Sequence, residues 1–162
     1  NKNLGNRFIY GFSSELGFQL NQNFYSRGSL TFTKGNKSYS AGPMPSIPPF
    51  FGSFYLIYES SKWDTKFNWK FSGSKDPFQY SWGGEDGLDE TPIISSNSLD
   101  DRNKYGGSPK WNVLSLLSQY KFSEKTKVNF GVTNIFDVHY RTFASGISSE
   151  GRSFYFGIKT KI

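Results

Sequence analysis

Apolar residues recur at every second position along most of this 162-residue chain. From Phe8 the even positions Phe8, Tyr10, Phe12, Leu16, Phe18 and Leu20 are apolar, while Arg7, Ser13, Glu15 and Gln19 take the other side. Such alternation marks an extended strand with one greasy and one polar face, because successive side chains of a strand point in opposite directions. A tight turn at Asn21-Gln22-Asn23 leads into a second strand that sets Phe24, Leu30 and Phe32 against Arg27, Ser29, Thr31 and Thr33. The link Gly42-Pro43-Met44-Pro45-Ser46-Ile47-Pro48-Pro49 then interrupts any ladder, since proline brings no amide donor. A third strand carries Phe54, Leu56 and Tyr58 on its apolar side. After Ser60-Ser61-Lys62 a fourth opposes Phe67, Trp69 and Phe71 to Lys66, Asn68 and Lys70. Between 73 and 109 periodicity gives way to Gly, Ser, Asp, Glu and Asn. A fifth strand (Leu114, Leu116, Tyr120, Phe122 apolar) turns at Ser123-Glu124-Lys125 into a sixth (Val128, Phe130, Val132), and a loop from 137 to 151 precedes the last. There Phe154, Phe156, Ile158, Thr160 and Ile162 alternate with Tyr155, Gly157, Lys159 and Lys161.

The connections between these seven strands alternate short, long, short, long, short, long. Tight turns at one end and long loops at the other are what an outer-membrane β-barrel shows, with its turns in the periplasm and its loops outside. The expected fold is therefore all-β, an antiparallel transmembrane barrel segment with Ile162 on the periplasmic side. The lipid-facing band comprises Phe54, Leu56, Phe67, Trp69, Phe71, Val128, Phe130, Val132, Phe154, Phe156 and Ile158. Seven is an odd number and too few to close a bacterial barrel, and an open strand edge is not tolerated in lipid. The chain is thus expected to be the C-terminal part of a larger barrel, or one chain of an assembled one.

Composition supports this picture. Aromatic residues form 19% of the chain, with 17 Phe, 10 Tyr and 4 Trp, although hydrophobic residues total only 35%. Large rings thus stand where a soluble core would have aliphatic side chains. No stretch reaches the roughly 20 apolar residues of a membrane helix, and Asn1 to Gly5 contain no apolar core of a signal peptide. An exported form is accordingly expected to be a piece of something longer. The net charge of +6 does not point to nucleic acid, because the 19 Lys and Arg are spread singly along the strands and form no binding motif. Acidic residues gather between Asp76 and Asp101 instead.

One ordered set of short motifs is more specific. Gly131-Val132-Thr133-Asn134-Ile135-Phe136-Asp137, then Tyr140-Arg141, then Ala144-Ser145-Gly146, then Gly151-Arg152-Ser153-Phe154 resembles the C-terminal signature of TonB-dependent outer-membrane receptors. Ile47-Pro48-Pro49 and Gly84-Glu85-Asp86-Gly87 are also similar to receptor sequences. The resemblance covers residues 1–162 as the last third of a plugged barrel of about 22 strands, with no plug domain in this chain. It departs from the family at Ile162, where an aromatic residue is usual. It implies import of a scarce solute such as a ferric siderophore, haem, cobalamin or an oligomer. The implied partners are outer-membrane lipid, the remaining strands and plug, the TonB complex and the barrel-assembly machinery, with no nucleic acid. Gly157, Thr160 and Ile162 match the spacing of a terminal assembly signal.

Candidate chemistry is sparse. His139 is the single histidine, there is no cysteine, and no Ser lies in a nucleophile-elbow pattern, so neither an enzyme nor a metal or cofactor site is expected. Because rim loops build receptor sites, Trp82, Glu85, Asp86, Tyr105, Arg141 and Phe143 are the candidates for touching substrate. Two other readings remain open at this level. A non-transporting structural barrel or split-barrel subunit would need a partner chain that supplies strands without a plug. A secreted all-β binding module would be soluble without detergent.

Overall fold

The computed structural model describes residues 6–36 and 42–161. Seven strands follow one another as a single antiparallel meander: β1 (Ile9–Gln19), β2 (Phe24–Gly35), β3 (Phe51–Glu59), β4 (Trp63–Ser72), β5 (Trp111–Lys121), β6 (Thr126–Thr133) and β7 (Ser153–Thr160). Each pairs only with its sequence neighbours, so β1 and β7 are the two edges. The short turns hold because their side chains replace missing ladder bonds. Asn21 Oδ1 accepts from the amides of Asn23 and Phe24 at 2.9 and 3.0 Å, and Ser123 Oγ accepts from those of Lys125 and Thr126 at 3.3 and 3.1 Å.

The register carries one apolar face across the whole sheet. Phe12 lies opposite Phe32, Phe54 opposite Trp69 and Leu56 opposite Phe67. Trp69 lies opposite Leu114 and Leu116 opposite Val132. Val132, Phe130 and Val128 then meet Phe154, Phe156 and Ile158. Directly opposed residues share a face, so every residue assigned above to the lipid-facing band lies on the same side. Aromatic pairs stand at both ends of it: Phe24 with Tyr58 and Trp63 with Tyr120 near the short turns, Phe50 with Phe71 near the loops.

The other face is polar. Ser29 and Ser53 share a hydrogen bond of 2.8 Å, Gln119 donates to Asn129 at 2.7 Å, and Arg27 pairs with Glu15. Gly131 lies opposite Tyr155 on this side, and a Cβ there would come within 2.6 Å of the Tyr155 ring, so the glycine makes room for the aromatic. A soluble sheet would bury one of its faces, yet among the described residues only Tyr80, Tyr105 and Val113, with Pro43, Pro49 and Pro77, are buried apolar side chains. Phe154 and Phe156, by contrast, are 77% and 71% exposed. The molecule keeps its greasy surface outside.

The stretch from 73 to 109, which lacks periodicity, still holds two 3₁₀ turns (Pro77–Gln79 and Leu88–Glu90), a one-turn helix α1 (Asp101–Lys104), and bridges between Lys75 and Ser108 and between Ile93 and Tyr105. Side-chain caps account for the turns. Asp76 accepts from the Phe78 amide and Asp100 from the Arg102 amide, both at 2.9 Å. Single caps and lone bridges have no period, which is why hydrophobic alternation does not reveal them.

Candidate functional site at the long-loop end

The described parts of all three long connections (42–50, 73–110 and 134–152) lie at the same end of the sheet, where they meet around a buried ion pair. The Lys75 ammonium donates to Asp86 Oδ2 at 2.9 Å and to the Ile47 carbonyl at 2.7 Å. It also lies 4.7 Å from the centre of the Tyr80 ring and 4.2 Å from that of Phe143. Asp86 accepts in addition from the amides of Ser46 at 2.6 Å and Ser81 at 3.4 Å. The two side chains are 3% and 2% exposed, so this knot is dry and joins all three loops. Burial pushes the Lys75 ammonium below its ordinary value, opposed by the hydrogen bond and charge of Asp86. Burial also raises the Tyr80 phenol, whose hydroxyl shares a 2.6 Å hydrogen bond with Ser108 Oγ.

A second set of contacts clasps the last loop. Asn134 adopts a left-handed backbone (φ 49°), and its side chain accepts from the Val138 amide at 2.9 Å and donates to the carbonyls of Val138 and Glu150 at 2.9 and 3.3 Å. Asp137, also left-handed (φ 54°), accepts from the Arg152 amide at 2.7 Å. A Cβ on Gly151 would stand 2.7 Å from the same carboxylate oxygen, which leaves glycine as the fitting residue. The Asn134, Asp137, Gly151 and Arg152 motif is therefore a mechanical clasp. Tyr140 packs against Trp111 with the rings tilted by 44° and their centres 4.5 Å apart, and Arg141 reaches the Glu90 carboxylate at 3.2 Å, docking the clasped loop on the 73–110 loop.

Among the described residues three cavities lie at this end, one of them, of about 350 Å³, between Met44, Ile47 and Lys75; the other two hold candidate residues. One of about 280 Å³ is lined by Tyr80, Asp86, Glu90, His139 and Arg141. Another of about 590 Å³ is lined by Trp82, Leu88, Asp89, Leu99 and Arg102. The structure does not gather the six candidate contact residues at one point. Trp82 is 56% exposed at the second cavity, with the Arg102 guanidinium 5.9 Å from its ring, and Arg141 lines the first. Glu85 is on the surface, its carboxyl held below the usual range chiefly by the Ser81 hydroxyl. Asp86 and Phe143 belong to the buried knot, and Tyr105 is buried at its bridge to Ile93.

Sequence reasoning missed Lys75 and Tyr80, which lie in a stretch without periodicity. The acidic run opposite a lone lysine was the one available signal. Ile162 of the expected assembly signal lies outside the described residues, while Gly157 and Thr160 lie on β7 opposite Asn129 and Thr126. No group of three or more His, Asp or Glu able to hold a metal occurs among the described residues.

No protein-family model matches the chain, and no curated protein does. Solved structures do. The copper transporter OprC superimposes with a TM-score of 0.68 at 23% identity, over 95% of this chain and 23% of its own. The ferric enterobactin receptor PfeA of Pseudomonas aeruginosa gives 0.66 at 16% identity, over 98% and 23%. The chain has the barrel fold of TonB-dependent outer-membrane receptors. The siderophore receptor PiuA from Acinetobacter baumannii extends the likeness, with a TM-score of 0.64 at 10% identity over 95% and 22%. The chain thus spans less than a quarter of the length of these receptors and transporters.

Proposed function

We propose that this chain forms wall, outer loops and closing strand of an outer-membrane receptor that imports a scarce solute with energy delivered through the TonB complex. The observation that carries the reading is the sheet itself, which is apolar on one face across all seven strands and braced by its long loops at one end only. Phe54, Leu56, Phe67, Trp69, Phe71, Val128, Phe130, Val132, Phe154, Phe156 and Ile158 contact lipid. β1 and β7 pair with the remaining strands of a barrel of about 22, whose lumen holds a plug. Gly157, Thr160 and Ile162 are read by the barrel-assembly machinery. Trp82, Glu85 and Arg141 meet the solute at the rim, while Asp86, Tyr105 and Phe143 hold the loops that carry them. The work is capture and passage, with no bond made or broken in the solute.

Solved neighbours described as a copper transporter and as siderophore receptors support a metal or metal chelate among the solutes to try first. The test is a gene deletion, with uptake of labelled ferric siderophores, haem, cobalamin and copper followed in cells with and without TonB. Loss of one uptake, matched by loss of TonB, is the expected result. Undiminished uptake of all of them would sink the reading and leave a structural barrel or split-barrel subunit.

A further inference from the structure

Three lysines occupy one rung of the polar face. Lys121 is paired with Lys127 across β5 and β6, and Lys127 with Lys159 across β6 and β7. The next rung adds Lys125 and Lys161, joined by a backbone hydrogen bond from the Lys161 amide to the Lys125 carbonyl at 2.9 Å. Like charges set directly opposite on neighbouring strands repel each other, and here the repulsion runs across three strands.

Little within the chain offsets it. Glu124 reaches Lys121 at 2.9 Å but is 89% exposed. Lys127 donates only to the neutral Gln119 Oε1 at 3.0 Å. Among the described residues, no ion pair engages Lys125, Lys127, Lys159 or Lys161. Glu59 and Asp64 line a hollow of about 320 Å³ together with Lys62, Lys121 and Lys127, yet neither forms an ion pair with them among the described residues.

We propose that this lysine row is a docking surface for an acidic polypeptide segment that crosses the inner face of the sheet at the short-turn end. The inference rests on the barrel reading for what that face encloses. Lipid headgroups fit the row poorly, because it points away from the face carrying Phe156 and Ile158. Its span, two strand spacings or about 10 Å, suits carboxylates at alternate positions of an extended segment or one turn apart on a helix. A strand pairing with the β7 edge could reach Lys159 and Lys161. Lys127, about 10 Å from such a strand, would be reached only by a fully extended pair, and Lys121, about 14 Å away, not at all.

The position of Lys121 supplies the test. Outer membranes holding the whole protein are treated with a water-soluble carbodiimide, which joins a lysine amine to a carboxylate in contact with it, and linked peptides are identified by mass spectrometry. The expected product joins Lys121 to an Asp or Glu outside this chain. Links from Lys121 should fall at least fivefold in a Lys127→Gln, Lys159→Gln double variant. Links from Lys159, Lys161 or Lys127 without Lys121, phospholipid recovered on these lysines, or rapid acylation of Lys121 with no link would each overturn the proposal. Heat-modifiable migration on gels keeps the two readings apart. Its loss in the unaltered protein would count against the barrel, whereas its retention without Lys121 links counts against the docking surface alone.

Discussion

At the scale of single residues, the pair of Lys75 and Asp86 decides most about the loop end. Removing one partner of a buried ion pair leaves a charge with neither water nor counter-ion, at a cost of about 3–5 kcal/mol. Lys75→Met is therefore expected to open the 73–110 loop to protease and to hydrogen exchange while the strands stay protected. A Lys75→Met, Asp86→Leu double variant should recover most of the protection, and equal protection in the single variant would show that the pair does not hold the loop. Tyr80 gives a second test, through pH. Its folded value lies above the ordinary 10.0 because burial disfavours the phenolate. The stabilisation from the neutral phenol is thus complete below pH 10 and is lost as pH rises through the raised value. Difference absorbance at 295 nm between the parent and Tyr80→Phe should show one late-ionising tyrosine. Ser108→Ala should move it later still, since the Ser108 hydrogen bond lowers that value.

The strands were legible in the sequence because alternation repeats a simple physical rule many times over. Register followed from it: Phe54, Trp69 and Leu114 share a face because each had to, given one apolar side per strand. The loops were not legible in this way. Lys75 and Asp86 are eleven positions apart, each inside a polar stretch, and nothing local separates a buried pair from a solvated one. The clasp was visible as a motif but its meaning was not. The side chains of Asn134 and Asp137 satisfy backbone groups at Val138, Glu150 and Arg152, a role that only coordinates reveal. At this element scale the two faces of a strand should respond differently to charge. Phe67→Arg, in the apolar band of β4, is expected to cost about 2–4 kcal/mol in urea titrations of the vesicle-inserted protein. Thr31→Arg, on the polar face of β2, should cost far less, and equal costs would contradict the assigned faces.

For the whole molecule, the four tryptophans sample three environments. Trp63 and Trp69 lie on the apolar face, Trp111 pairs with Ser72 on the polar face and Trp82 stands in a loop. In single-tryptophan variants in vesicles of brominated lipid, Trp69 should be quenched strongly and Trp82 hardly at all. Strong quenching of Trp82 would mean that the loop end dips into the bilayer. The meeting of 42–50, 73–110 and 134–152 at Lys75 has a further consequence, for surveillance from outside the cell. With the barrel oriented as proposed, antibodies that grip this end meet a surface assembled from three separate parts of the chain. Immunisation with any one loop as a free peptide should yield sera that bind the peptide and miss the native protein. Binders raised against the native protein should release it when Lys75 alone is replaced, although Lys75 itself, buried beneath that surface, touches none of them.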